Sequence, residues 1–286
     1  MSGYQEGLFV LLAINIVYAY SAYLPLAAGQ LNLGLAGFGA IGAYMSAYSS
    51  GVWGLHPYLA IPFGAFAAGV VALVVAVPVL RTRGIYLALA TFAVGQIVKA
   101  AILNMEVVGG AAGYPVTAFV RLPAIAIFAA AVVLFVALLF NTRFGIAVRA
   151  VQEDERVADL LGIEVRGFQV AAFSLGAALA GIAGGLYAHH FSFIEAQHFN
   201  IGMSISIVLY VLLGGTQTVW GPLAGATLFT LLPELLRAGA SLRYVIFAAI
   251  VIVLVALRPQ GLIMRGTLAK LGWRAAPKPR SPGRAA

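Results

Sequence analysis

The sequence predicts an all-α fold, a polytopic transmembrane helical bundle of about nine spans with some discontinuous helices, and three observations support this. The chain of 286 residues is 62% hydrophobic and 9% charged, whereas a soluble domain is about a quarter charged. No Asp, Glu, Lys or Arg occurs from residue 7 through residue 80, and charges are costly at the centre of a bilayer. The apolar runs are continuous rather than alternating, which disfavours a transmembrane barrel.

The predicted spans follow the apolar runs, because a helix needs roughly 20 residues to cross a bilayer. Gly- and Pro-containing segments separate the runs. The seventh span is short and precedes GGTQTVWGP, which indicates either a discontinuous helix or a tight interhelical turn. The predicted spans are 8–28, 31–50, 59–80, 85–104, 121–140, 168–190, 201–214, 219–237 and 241–258.

The distribution of Lys and Arg predicts the orientation, because these residues concentrate in cytoplasmic loops. If the charged interval 141–166 is cytoplasmic, the amino terminus is external. MSGYQEG lacks the basic region of a cleaved signal peptide, so the first apolar run is predicted to be a retained helix. Residues 1–258 then form the transmembrane domain, and 259–286 form a basic, largely disordered cytoplasmic tail. Of the 17 basic residues, those left at or near the outer side are Lys99, Arg121, Arg237 and Arg243.

The interval 141–166 holds nine of the chain's 26 charged residues and contains a short amphipathic helix at about 147–163. Charged residues three or four apart stabilise such a helix, and an apolar stripe runs along it. A solvated loop needs no stripe, and an interfacial helix is usually basic at its centre. Docking to a cytoplasmic partner and an ordinary amphipathic loop helix both remain open. The residues singled out for docking are Arg149, Ala150, Glu153, Asp154, Ala158, Leu161 and Gly162.

Polar residues within or beside the spans are candidates for a solute path, because they are expensive in lipid. Broken helix ends offer backbone N–H and C=O groups to a zwitterionic solute. The alternative for each residue is interhelical hydrogen bonding or helix capping. The candidates are Gln30, Asn32, Thr91, Gln96, Gly214, Gly215 and Thr216.

Three histidines and a carboxylate within one short segment could bind Zn²⁺. This segment is expected in an external loop, where such residues cost little, and a surface for docking of another protein is favoured over a metal site. The absence of cysteine from the sequence excludes disulfides and thiolate ligands. No metal site is therefore predicted from His189, His190, Glu195 and His198.

Several motifs, in this order, resemble the permease subunits of branched-chain amino acid ABC importers, and more narrowly the M-type member of the paired H and M permeases. They are GQLNLGLAGFGAIGAY, RTRGIYLALATFAVGQIV, VVGGAAGY, FGIAVRAVQEDERVADLLGIEV, LLGGTQTVWGPLAGA and LRPQGLI. The resemblance covers residues 20–265 and implies that 149–162 forms the coupling helix, which seats in a groove of a partner ATPase. M-type permeases commonly carry a further hydrophobic segment before the one that begins here at residue 8.

The resemblance also implies partners and a location. It implies two ABC ATPase subunits, a homologous H-type permease subunit, an external or periplasmic solute-binding protein, and the cytoplasmic (inner) membrane of a bacterium or archaeon. The sequence has no GxxxxGK[ST] motif, so we expect no enzyme activity and no bound cofactor on this chain, with ATP and magnesium on the ATPases. The net charge of +8 is explained by orientation in the lipid bilayer, and no nucleic acid partner is expected.

The implied solute is a branched-chain or other hydrophobic amino acid, and three alternatives stay open. Relatives of this type also carry urea, short amides or aromatic acids. An ATP-independent channel or secondary transporter would need a relay of charged residues inside the spans, and away from the span ends the predicted spans hold only Lys99 and Glu234. A membrane enzyme would use the His and Glu segment and would contain metal.

Overall fold

A computed structural model describes residues 3–235 together with Ile252, Gly261 and Leu262. The first of these ranges is mostly helical. Its α-helices are α1 (Gly3–Ala27), α2 (Leu35–Val52), α3 (Pro57–Val79), α4 (Ile85–Leu103), α5 (Leu122–Phe140), α6 (Arg143–Glu153), α7 (Glu155–Leu160), α8 (Val165–Phe191), α9 (Ile201–Gly214) and α10 (Gly221–Leu235). Short 3₁₀ turns cover Glu106–Val108, Gly110–Ala112 and Ala196–His198, and the strands are β1 (Tyr114–Pro115) and β2 (Phe193–Ile194).

The prediction of a polytopic transmembrane helical bundle is confirmed. Within the described residues, five helices are long and apolar enough to cross a membrane, namely α1, α3, α4, α5 and α8. Eight of the nine predicted spans coincide with helices. The ninth, 241–258, lies outside the described residues except for Ile252, as does the tail 259–286 except for Gly261 and Leu262.

Helix α2 has the length of a span, but its Gly, Ser and Tyr residues make it less apolar than the five span candidates. Most of its residues are buried, because α3 and α8 pack on it along its length. Small residues allow this close approach. A methyl group on Gly42 would overlap the backbone of Gly181, and one on Gly184 would overlap Gly39. α2 is therefore a central helix, shielded from lipid by its neighbours.

Helices α9 and α10 pack against each other across a turn that begins at Gly214. The tight-turn alternative for GGTQTVWGP is thus the one that the structure adopts. Gly215 has φ 107°, a conformation that favours glycine. Gly261 lies against Gly215, and the Leu262 N–H donates to the Leu213 carbonyl at 2.9 Å, so the chain still packs on the bundle at the start of the predicted tail.

The bundle has two ends that differ in structure. We call one the sheet end, which carries 105–120 and 192–200, where β1 pairs antiparallel with β2. We call the other the charged end, which carries 28–34, 81–84 and 141–164. Its parts are joined by direct contacts, such as the Arg83–Glu155 ion pair at 3.4 Å.

Candidate functional site

The segment predicted as one helix over 147–163 is two helices, α6 and α7, so that prediction was wrong in this detail. The break lies at Asp154, which is extended at φ −158° and ψ 112°. Its Oδ1 accepts hydrogen bonds from the N–H groups of Arg156 (2.8 Å) and Val157 (3.2 Å), which caps α7. Asp side chains compete with helical backbone bonds in this way. Gly162 ends the segment, since it has φ 81° after the last turn of α7.

The apolar residues of the α6–α7 segment (143–160) and the turn after it divide between two faces. One set is buried against the bundle and includes Val148, Val151 and Ala158. The other is exposed, with Leu160 86% and Leu161 73% accessible. Ala158, singled out for docking, therefore faces the bundle, while Leu161 faces outward.

The remaining residues singled out for docking lie along the same segment. Ala150 is half-buried, and Glu153, Asp154 and Gly162 are exposed. Arg149 is half-buried, with its guanidinium 5.6 Å from the centre of the Phe140 ring. The acidic positions and the exposed leucines are thus accessible to another molecule.

The α6–α7 segment is attached to three other parts of the bundle. Gln152 Nε2 donates to the Leu26 carbonyl at the end of α1, at 3.3 Å. Glu155 pairs with Arg83 of the α3–α4 turn and accepts a hydrogen bond from Gln169 Nε2 of α8 at 2.9 Å. A displacement of the segment would therefore act on the end of α1 and on the α3–α4 turn.

The α1–α2 break (28–34) carries two of the predicted path residues, and a third lies beside it. The Thr91 hydroxyl accepts from the Leu33 N–H at 3.0 Å and donates to the Ala88 carbonyl at 2.9 Å. Asn32 Oδ1 accepts from the Gly34 N–H at 2.8 Å. The capping alternative therefore holds for Thr91 and for the carbonyl half of the Asn32 amide.

The α1–α2 break also holds amide groups without a partner. Gln30 and Asn32 are 2% and 1% exposed. Neither amide atom of Gln30 has a hydrogen-bond partner, nor does Asn32 Nδ2. Buried polar groups are almost always paired, so these amide atoms are exceptions to the usual pattern.

The other residues predicted for the solute path lie away from the α1–α2 break. Gln96 is half-buried on α4, further along the helix from Thr91. Gly214 ends α9, and Gly215 and Thr216 belong to the α9–α10 turn. A methyl group on Gly214 would meet the backbone of Gly221 and Gly225. Sequence reasoning missed Ser204, whose Oγ accepts from the Ala36 N–H in the first turn of α2 at 3.1 Å, because one serine in an apolar run is unremarkable.

The histidines beside the sheet are structural. His189 and His190 lie in the last turn of α8 rather than in an external loop, which corrects the expected position. His189 Nδ1 donates to the Ala118 carbonyl at 2.9 Å, so Nε2 accepts from the Ser46 hydroxyl at 2.8 Å. His198 stacks on the Tyr187 ring at 4.4 Å. Among the described residues, no group of three His, Cys, Asp or Glu is arranged to hold a metal ion.

Comparisons with known proteins connect this arrangement to membrane transport. The family model described as "Branched-chain amino acid transport system / permease component" matches residues 5–256. The LivM permease protein of the high-affinity branched-chain amino acid transport system of Escherichia coli K12 is 28% identical over 88% of this chain. The match covers 66% of that relative, so this chain spans less than two thirds of its length.

Two further relatives differ in the solute that they are named for. The probable branched-chain amino acid transport permease LivH of Methanocaldococcus jannaschii is 27% identical over 77% of this chain and 74% of its own length. The nucleoside ABC transporter permease NupC of Lactococcus lactis is 28% identical over 75% of each chain. No solved structure matches this chain.

Proposed function

This chain belongs to the family of branched-chain amino acid transport permease components, and from that premise we propose that it is the membrane subunit of an ATP-driven importer. It is a multi-pass membrane protein of the transport permease type. The proposed solutes are branched-chain or other hydrophobic amino acids, delivered by an external solute-binding protein. The proposed partners are two ABC ATPases, which bind ATP and magnesium, and a homologous H-type permease.

The observation that carries the proposal is that the α6–α7 segment divides its apolar side chains between an exposed face and a buried face. It presents Leu160 and Leu161 to the outside while Val148, Val151 and Ala158 hold it on the bundle. An exposed apolar pair flanked by charged residues fits the groove of a protein partner. In this proposal the charged end is cytoplasmic and the α6–α7 segment, with Arg149, Glu153 and Asp154, couples the ATPases to transport.

The contacts of the α6–α7 segment support a route for that coupling. Gln152 and Glu155 connect it to the end of α1 and to the α3–α4 turn. These parts border the α1–α2 break, where Gln30 and Asn32 have unpaired amide atoms. Movement of the ATPases would thus reach the proposed solute path through hydrogen bonds and one ion pair. Gln96, Gly214, Gly215 and Thr216 remain proposed path residues without such a contact.

The double variant Leu160→Ser, Leu161→Ser tests the docking. Burial of a leucine contributes about 1.5–3 kcal/mol, so loss of both should weaken ATPase association more than tenfold. The measurement is co-purification of the ATPase subunits with the permease, together with ATP-driven uptake into proteoliposomes. Val107→Ser is the control, because Val107 is also an exposed apolar residue, at 68%, but lies at the sheet end.

Two outcomes would contradict the proposal. Unchanged co-purification and uptake in the double variant would remove the docking role. Replacement of Glu153 by Lys should likewise uncouple ATP hydrolysis from uptake without loss of membrane insertion, and unchanged coupling would count against it.

The solute needs a separate measurement, because one relative is named for nucleosides. Uptake of radiolabelled L-leucine should be ATP-dependent and should resist competition by uridine and by urea. Uptake of uridine or urea in place of leucine would overturn the amino acid assignment and leave the importer assignment standing.

A further inference from the structure

Helix α4 carries two polar side chains at the edge of its packing surface. The helix packs on the bundle chiefly through α2, where a methyl group on Gly37 would overlap the backbone of Gly95. Its opposite side is turned outward, as at Ile97, which is 67% exposed. Gln96 and Lys99 lie between these two sides, and both are half-buried.

The helical period places Gln96 and Lys99 next to each other on one flank of α4. Residues three apart on a helix have Cβ atoms about 5–6 Å apart. The half-buried residues of the other flank are Ala90 and Val94. One flank of this helix is therefore polar and the other is apolar.

The polar flank has no partner in the described part of the chain. Neither Gln96 nor Lys99 makes a hydrogen bond or an ion pair there, and the polar atoms of both side chains are accessible from outside the chain. The other peripheral helices differ, since α5 has no polar side chain and α3 has only Tyr58. The surfaces of α3 and α5 thus suit lipid, whereas this flank of α4 does not.

The depth of Gln96 within α4 makes contact with lipid headgroups impossible. Gln96 lies about 10 Å along the helix axis from Leu103, the last residue of α4. Lys99 is nearer to that end, and lysine can extend to the headgroups, but the shorter glutamine cannot. A polar group in the hydrocarbon is costly without a partner, so water or a polar ligand is needed beside Gln96.

We propose that the flank of α4 formed by Gln96 and Lys99 lines the aqueous transport path, and that Lys99 binds the carboxylate of the amino acid solute. The inference rests on the proposed function, in which the charged end is cytoplasmic and Lys99 therefore lies toward the outer side. The Lys99 ammonium would donate to the solute carboxylate, and Gln96 Oε1 would accept from the solute ammonium group. Both solute groups are attached to one carbon atom, so two neighbouring side chains can hold them together.

Thiol labelling tests whether water reaches this flank, and the chain contains no cysteine of its own. In the complex with its partner subunits in lipid nanodiscs, Gln96→Cys and Lys99→Cys should react with a charged methanethiosulfonate, because a hydrated thiol ionises to the reactive thiolate. L-leucine supplied with the external binding protein should slow both reactions. Ile97→Cys is the matched control, since it lies between the two positions but on the outward side, and it should not react. Mass spectrometry of this chain measures the labelling.

Uptake into proteoliposomes tests the role of the Lys99 charge. Lys99→Met keeps a long side chain and removes the charge, so ATP-driven uptake of L-leucine should fall by about tenfold or more through loss of a charged hydrogen bond. Ile97→Met is the control and should transport like the wild type. Aminoethyl methanethiosulfonate restores a cation in Lys99→Cys and should restore uptake, whereas the sulfonatoethyl reagent adds an anion and should not.

Two results would overturn the inference. Equal labelling of Gln96→Cys and Ile97→Cys would mean that the flank is covered by lipid or by another helix, or that water reaches all sides of α4. Wild-type uptake of leucine by Lys99→Met would remove the role of Lys99 in binding the carboxylate.

The same measurements separate this inference from the proposed function. If the wild type takes up leucine with ATP while either of these two results is obtained, the inference fails and the importer assignment stands. If Gln96→Cys and Lys99→Cys are labelled but the wild type transports no amino acid, the proposed function fails and the aqueous flank of α4 stands.

Discussion

The sheet end and the charged end of the bundle differ in how their buried polar groups are satisfied. At the sheet end, His189 is fully buried and bonds to both Ser46 and Ala118. Its neighbour His190 bonds to the Val120 carbonyl at 3.0 Å. At the charged end, by contrast, Gln30 and Asn32 are equally buried but keep unpaired amide atoms.

The exposed apolar groups do not follow this division. Leu160 and Leu161 are 86% and 73% accessible at the charged end, and Val107 is 68% accessible at the sheet end. The sheet end is held together by the pairing of β1 with β2 and by the two histidine contacts. The difference therefore concerns buried polar groups: among the described residues, the buried histidine of the sheet end is fully paired, whereas Gln30 and Asn32 of the charged end keep unpaired amide atoms.

The largest expected effect is at the sheet end, in the variant His189→Leu. It leaves the Ser46 hydroxyl and the Ala118 carbonyl without their partner, so the free energy of unfolding should fall by about 2–3 kcal/mol. The measurement is unfolding of the purified protein by SDS in mixed micelles. The control is His190→Leu, which removes one bond of a half-buried group and should cost about 1 kcal/mol. An equal decrease in the free energy of unfolding for the two variants would contradict the conclusion that the hydrogen bonds of His189 contribute more to stability than that of His190.

The next effect concerns the helix break at the charged end. Asp154→Ala removes the side-chain cap from two N–H groups of α7, which typically costs about 1 kcal/mol. Because α7 is short and lies at the surface, the loss should appear as faster hydrogen exchange in 155–161 rather than as global unfolding. Asp154→Asn keeps a capping oxygen and should exchange like the wild type. Unchanged exchange in the alanine variant would show that the contacts of Glu155 alone hold α7.

Much of this architecture could be predicted from the sequence, because hydropathy and charge report directly on lipid burial. The boundaries of α3, α4 and α5 follow the predicted spans within a few residues. The same reasoning could not separate α2 from the lipid-facing helices. Its burial depends on which helices pack around it, and single glycines such as Gly42 and Gly184 acquire their role only from the backbone opposite.

The candidate site was predictable in place but not in detail. The sequence located Gln30, Asn32 and Thr91 beside a helix break, and it could not tell that Thr91 is fully paired while Gln30 has no partner. The break at Asp154 was hidden for a similar reason. The charge spacing of α6 and α7 is continuous along the chain, whereas the cap depends on the extended backbone of Asp154 and on the two N–H groups that its side chain meets.

A smaller effect of opposite sign is expected for Gln30→Leu. The change removes an unpaired buried amide and keeps a similar volume, so the free energy of unfolding should stay constant or rise by up to about 1 kcal/mol. Asn32→Leu is the comparison, because it also removes the bond to the Gly34 N–H and should destabilise the protein. A loss of stability in Gln30→Leu as large as in His189→Leu would erase the difference between the two ends.

The smallest effect is expected for Glu155→Gln, which removes the charge from the Arg83 pair. The Arg83 side chain is 81% exposed, and exposed ion pairs contribute little because solvent and salt screen them. The glutamine keeps an acceptor for Gln169, so the free energy of unfolding should fall by roughly 0.5 kcal/mol or less. Glu155→Ala, measured in the same SDS titration, also loses the Gln169 contact and should cost more. A decrease above about 2 kcal/mol in the free energy of unfolding of the glutamine variant would mean that this ion pair contributes as much to stability as the hydrogen bonds of His189. The charged end would then be as stable as the sheet end.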